Sequence, residues 1–362
     1  MEAFELASSI RYLDDIKLRT FTGDPKTIQN YEAGLALNSL KVSKEITPSI
    51  FNSLEKACSN LNLDLNKVNA YVTSSPEIQA GCMSFSKESC VITVTSATIN
   101  LMNFDEIQFI FGHELGHFLL SHNIEEIEMQ DSKEGYIKKR AQEISVDRVG
   151  LLACKDIDAA TRAVVKSLSG LDEKYIKFDI KAFLNQLDED LVKNEKTGQF
   201  SSHPSFILRA KALMRFSLSD PYLQLVEEIP GTNLIEIDKL IQEDLNTYID
   251  RDLRLDIKEA KELILFWGYA YAYVKNGSFT KQNQSNLENK FGPNMKEKLI
   301  NMITGLSTKE VIKVVKIKFI NSISNYRIVA PNIAKKELNL MILEIEKDTN
   351  QKGFFNEILQ EV

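Results

Sequence analysis

The sequence predicts a mainly helical α+β protein with one small β-sheet and an all-helical C-terminal part. Three observations carry that prediction. Only 15 Gly and 8 Pro fall among 362 residues, in text rich in Leu, Ile, Lys, Glu and Asn, a composition that favours helices. Between Val68 and Thr98 the character changes to Thr, Val, Ser and Ile, with alternation in Val91-Ile92-Thr93-Val94-Thr95, which reads as two or three strands. From Pro221 onward, amphipathic stretches are separated by Gly231, Gly277, Gly292-Pro293 and Pro331, the punctuation of successive helices. At about 150 residues per domain the length suits two or three domains. The expected divisions are an N-terminal helical segment over 1–62, a mixed domain over 63–218 and a helical domain over 219–362.

The elements follow from local signals. Residues 24–63 have helical spacing, and Thr47-Pro48 opens a helix with Pro in its first turn. Asn103 with Glu106 three residues later forms a capping box ahead of a helix over Ile107–Leu120. Further helices are expected over Lys133–Cys154, Asp156–Leu168 and Asp172–Lys193, with Gly170 as the stop between the last two. Residues 198–203 read as a polar loop, Pro204 opens a helix to Arg215, and Asp220-Pro221 marks a boundary.

Composition narrows the function. Lys plus Arg number 44 against 51 Asp plus Glu, for a net charge of -7, without long runs of one sign; nothing favours nucleic acid. Cys58, Cys82, Cys90 and Cys154 include no CxxC pair, so reduced thiols are expected rather than disulfides or a zinc knuckle. The first twenty residues lack an apolar core of the secretory type, and apolar runs such as Leu263–Val274 fall short of the ~20 residues of a membrane span. A cytoplasmic protein is the expectation.

Two of the four histidines stand in His113-Glu114-Leu115-Gly116-His117, an HExxH pattern inside an expected helix. Positions four apart lie one turn above each other, so both imidazoles face one spot suited to a single metal ion. Glu114 is displaced around the helix, where a general base acting on water belongs. Asn123 and Leu120 stand where a metzincin would have His and Gly, which excludes that class. Glu143, with Asp147 one turn later on the same face, is the expected third ligand, the alternative being a solvated helix acid. Asp147 would then accept the outer N–H of a ligating histidine.

Around this pattern lie Asn69 to Tyr71, the strand Val91 to Thr95, Asn103-Phe104-Asp105-Glu106, HELGH at 113–117, EISVDRVGLL at 143–152, and His203-Pro204 followed by Arg209 and Leu213. Over roughly Leu63 to Leu213 the chain resembles the HtpX-like and CAAX prenyl endopeptidase-like zinc metallopeptidases, a gluzincin group that forms metallopeptidase family forty-eight. The resemblance implies a zincin-like α+β domain with one Zn2+ per chain on His113, His117 and Glu143. It also implies Glu114 as general base and His203 as an electrophilic helper near the developing oxyanion. A zinc-dependent endopeptidase acting on proteins or peptides follows. Members embedded in membranes carry transmembrane helices that this chain lacks, so soluble members are the better comparison. An alternative reading is a regulatory metalloprotein like the ImmA and IrrE group, though no convincing helix-turn-helix partner is found. Another is an inactive peptidase-fold scaffold.

The strand Val91, Ile92, Thr93, Val94, Thr95 is expected to be an edge that pairs with extended substrate. Gly116 would let a strand approach the metal helix. His122 lies off the metal-facing stripe and reads as a surface or helix-end residue. The run from Ile124 to Arg140, acidic at Glu125, Glu126, Glu128 and Asp131 and then basic at Lys138, Lys139 and Arg140, reads as a solvated connection, with a cleft lid as the alternative. Phe266, Trp267, Tyr269, Tyr271 and Tyr273 cover more than one helix face, as in buried packing. The C-terminal helices are assigned to regulation or a protein partner.

Overall fold

In the computed structural model a four-stranded sheet forms from β1 (Leu40–Lys41), β2 (Val68–Thr73), β3 (Ala80–Met83) and β4 (Cys90–Thr95), in the order β1-β2-β4-β3. The structure describes residues 1–17, 25–84, 86–125, 129–187, 201, 203–275, 279–351, 353 and 358. β2 and β4 run parallel, while β3 pairs antiparallel with β4 in the register Ala80↔Val94 to Met83↔Val91. β4 is buried along nearly its whole length, as its Val and Ile content requires of a strand covered on both faces. β1 falls within the N-terminal stretch read as helical; it pairs at only two positions with β2, too short for alternation to reveal.

The chain divides into two units, Met1–Glu126 with Ile137–Arg251, and Ile127–Tyr136 with Asp252–Val362. The expected divisions at 62/63 and 218/219 do not coincide with these units, for a packing reason. Helix α1 (Ala3–Ser9) and, after α2 (Pro25–Asn38), helix α3 (Pro48–Asn60) bury Leu6, Leu54, Ala57 and Cys58 in the same core as Ile92, Val94, Phe111, Leu115 and Phe118. Past residue 219, Ile237, Ile241 and Leu245 join Tyr12, Ala141, Ile144 and Leu208.

The central helices of the first unit are α4 (Ser96–Leu101), α5 (Phe104–Leu119), α6 (Lys133–Cys154), α7 (Ile157–Ser169), α8 (Ile180–Leu184), α9 (Phe206–Phe216), α10 (Asp220–Val226) and α11 (Leu234–Leu245). The capping box that opens α5 is formed: Glu106 N–H donates to Asn103 Oδ1 at 3.0 Å and Asn103 N–H to Glu106 Oε2 at 2.9 Å. Glu106 is fully buried and also takes Lys166 at 2.8 Å, which ties the start of α5 to α7. α7 ends at Gly170 with φ 67°, the left-handed stop read from sequence. Over its described part, residues 172–187, the helix expected over 172–193 is broken into a turn at Glu173–Tyr175 and α8; residues 188–193, and residues 198–200 and 202 of the polar loop, lie outside the described residues.

In the second unit α12 (Arg251–Lys275), α13 (Lys281–Phe291), α14 (Pro293–Ile303), α15 (Thr308–Val329) and α16 (Pro331–Thr349) pack around Phe266, Tyr269, Tyr271, Phe319 and Ile345. The expected break at Gly277 lies outside the described residues. Phe266 meets Trp267 edge-on at 5.0 Å and Tyr271 stacks on Phe319 at 6.3 Å, so these aromatics act as packing. Ala330 gives α16 no capping side chain. Glu134 supplies the acceptor instead, taking the amides of Asn332 at 2.8 Å and Ile333 at 3.1 Å. No described helix is long and apolar enough to cross a membrane.

Candidate metal centre

The site begins with two helices forced close together. At Gly112 an added Cβ would lie 2.2 Å from the Ala153 Cβ, and at Gly116 2.9 Å from the Val146 Cβ. Both glycines weaken α5 by up to about 1 kcal/mol relative to Ala, and the close approach of α6 is what requires them. The neighbour at Gly116 is therefore helix α6, not the strand expected from sequence, because Val146 lies one turn from the acid that must reach the histidines. Gly112→Ala is expected to destabilise the protein by about 1–3 kcal/mol through overpacking, read by chemical denaturation. Unchanged stability would show that the helices tolerate separation.

With the helices so placed, His113 Nε2 lies 3.7 Å from Glu143 Oε2 and His117 Nε2 lies 3.7 Å from Glu143 Oε1. Ligand atoms of all three residues fall within 4.8 Å of one another. Two ligands at ordinary Zn–N and Zn–O lengths and a tetrahedral angle are about 3.4 Å apart. Two imidazoles and a carboxylate at this spacing thus fit one divalent ion with an open position, and the donor set suits zinc.

Asp147 and Arg209 hold these groups in place. His113 Nδ1 lies 2.9 Å from Asp147 Oδ1, as read from sequence for a group that orients the ring. Arg209 grips the same carboxylate with both arms of its fork, Nε at 2.8 Å from Oδ2 and Nη2 at 2.6 Å from Oδ1, and sets Nη1 3.6 Å from Glu143 Oε2. Burial pushes the Asp147 carboxyl up, but Arg209 and His113 together hold it well below the usual range. The His117 imidazole is held well below its ordinary value by burial and by neighbouring His122 and His113. Burial pushes the Glu114 carboxyl up to about 7, with His113 pulling it down and Glu143 adding to the rise. His203 Nε2 stands 3.6 Å from Glu143 Oε1 on an exposed side chain.

His113, Glu114, His117, Glu143, His203 and Arg209 line one cavity of about 460 Å³, together with Ile78 to Cys82, Phe109, Ile110, Val164 and Phe206. Three expectations are corrected here. Val91 to Thr95 is not an edge: β4 is paired on both sides, and the outer strand is β3, whose Ala80, Gly81 and Cys82 face the cavity. Alternation marked the most buried strand, whereas the edge strand is short and half-buried. Second, of the two alternatives for His122 the helix-end position is the one found and the surface one is not: it follows the end of α5 with its side chain 2% exposed. Third, Glu125, Lys138 and Arg140 are not a solvated run but buried charges: Lys138 pairs with Glu125 at 3.2 Å and Arg140 with Asp250 at 2.8 Å. Glu126 and Glu128 lie outside the described residues. Sequence reasoning assigned no role to Arg209, although its step after His203-Pro204 was visible, and it missed Asp15, for which no local signal exists.

Residues 46–137 match the model of peptidase family M48. That stretch contains His113, Glu114 and His117, while Glu143, Asp147 and His203 lie beyond it. The chain is also 24% identical over 218 residues to the plastoglobule-localized metallopeptidase 48, chloroplastic, of Arabidopsis thaliana, covering 52% of this chain and 62% of that relative. No solved structure matches. The resemblance read from HELGH and its surroundings is borne out by both matches, of which the relative is spanned over less than two thirds of its length.

Proposed function

We propose that the protein is a zinc-dependent endopeptidase in which His113, His117 and Glu143 hold one Zn2+ and Glu114 is the general base. The observation that carries this reading is the convergence of both Nε2 atoms and the Glu143 carboxylate in the cavity that Glu114 also lines. Bound zinc would supply Lewis acidity for the scissile carbonyl and acidify water. Glu114 takes the proton of the attacking water and delivers it to the leaving amine. His203, whose Nε2 stands 3.6 Å from Glu143 Oε1 at the cavity wall, donates to the developing oxyanion. Extended substrate adds antiparallel to the outer edge of β3, which no other described strand covers, through main-chain hydrogen bonds; Asn123, whose Nδ2 donates to the Cys82 carbonyl at 3.0 Å, ends that pairing.

Metal removal tests the reading. Dialysis against a strong chelator is expected to abolish cleavage of an unfolded protein such as casein, and one equivalent of zinc per chain to restore it. Cleavage that survives complete removal of the metal would sink the proposal.

A further inference from the structure

His122 is positioned by the end of the metal helix. Ser121 adopts φ 65°, the His122 amide donates to the His117 carbonyl at 2.9 Å, and the Ser121 amide donates to the Phe118 carbonyl at 3.1 Å. This is the paired bonding of a helix stop that usually recruits glycine; serine stands there instead, so no local signal marks the stop. The turn brings the two rings together, with His122 Nδ1 3.2 Å from His117 Nδ1 and His122 Nε2 3.0 Å from Asp15 Oδ2. Asp15 is buried and takes Lys138 on its other oxygen at 2.7 Å, with Arg11 at 3.4 Å.

We infer that His122, held by Asp15, is the positioning residue that fixes the tautomer of His117 needed for metal binding. The inference rests on the reading of His113, His117 and Glu143 as a metal site. His117 turns Nε2 towards Glu143, so that nitrogen must keep its lone pair for the ion and the ring proton must sit on Nδ1. Two neutral imidazoles facing each other through their Nδ1 atoms form a hydrogen bond only if one donates and the other accepts. His122 Nδ1 must therefore accept, and its own proton must be on Nε2. An ionised carboxylate only accepts, so Asp15 Oδ2 selects that arrangement. The reverse arrangement would set the bare Nε2 of His122 against the Asp15 lone pairs. Asp147 does for His113 directly what Asp15 does for His117 through one more ring.

The test is zinc affinity of the full chain by competition with a chromophoric chelator, with folding followed by circular dichroism. His122→Phe fills the space but leaves His117 Nδ1–H without an acceptor, and a loss of about 10- to 100-fold in zinc affinity is expected, the size typical of such outer partners. His122→Asn places Oδ1 where Nδ1 stood and is expected to recover most of that loss, which a merely space-filling role does not predict. Asp15→Asn serves if the Phe variant fails to fold. Lys138 would draw the amide oxygen, leaving its NH2 facing His122 Nε2, so the wrong tautomer is favoured and zinc binding weakens. Wild-type affinity in both His122→Phe and Asp15→Asn, or in Asp15→Asn alone where the Phe variant does not fold, overturns the inference while His113→Ala still abolishes binding. Wild-type protein that binds no zinc would instead overturn the metal site itself.

Discussion

Glu114→Gln is expected to slow casein cleavage by about 10²- to 10⁴-fold, the range for a lost general base, while zinc content stays at one per chain. Glu114 is buried, lines the cavity and adjoins His113 in the helix, yet it is not among the three residues whose ligand atoms converge. The substitution therefore spares the metal. A base must accept a proton in the transition state and release it afterwards, which works best when its pKa is near the working pH. Burial, with Glu143 adding to it, brings the Glu114 carboxyl up to about 7 against the opposing pull of His113. Glutamine preserves the shape and takes no proton. Steady-state rates for zinc-loaded wild type and variant, with metal measured in the same samples, decide the matter. Equal rates at equal zinc would remove Glu114 from the chemistry and leave another group to activate water.

Much of this site was legible because its parts sit on two helices with fixed periodicity. HELGH places two imidazoles one turn apart whatever surrounds them, and Glu143 with Asp147 repeats that spacing on the next long helix. The capping box at Asn103 and the stop at Gly170 were readable because each is satisfied within a few residues. What could not be read depends on contacts between distant parts of the chain. Asp15 meets His122 across 107 positions, and Arg209 meets Asp147 across 62. The edge of the sheet was misplaced for the same reason: strand order depends on the crossover that sets β4 between β2 and β3, which alternation within one strand does not encode. Glu125 and Lys138 read as surface because charge in sequence implies solvent; in the fold they neutralise each other.

Arg209→Ala is expected to cost about 3–5 kcal/mol of stability, the scale for removing one partner of a buried ion pair. The guanidinium makes both short contacts to Asp147, and its side chain and that of Asp147 are 11% and 1% exposed. Without it Asp147 keeps a buried charge with His113 as its remaining named partner, and Glu143 loses a cation 3.6 Å away. Arg209→Lys retains charge but not the fork that meets both carboxylate oxygens, so an intermediate loss follows. Asp147→Asn in the Arg209→Ala background removes the stranded charge and should recover part of the stability, a coupling that the double-mutant cycle measures. Urea denaturation must be followed by far-ultraviolet circular dichroism, because the single tryptophan, Trp267, belongs to the other unit. Additive single and double variants would mean that Arg209 and Asp147 act independently, and Arg209→Ala as stable as wild type would show that the pair does not hold the ligand helix in place.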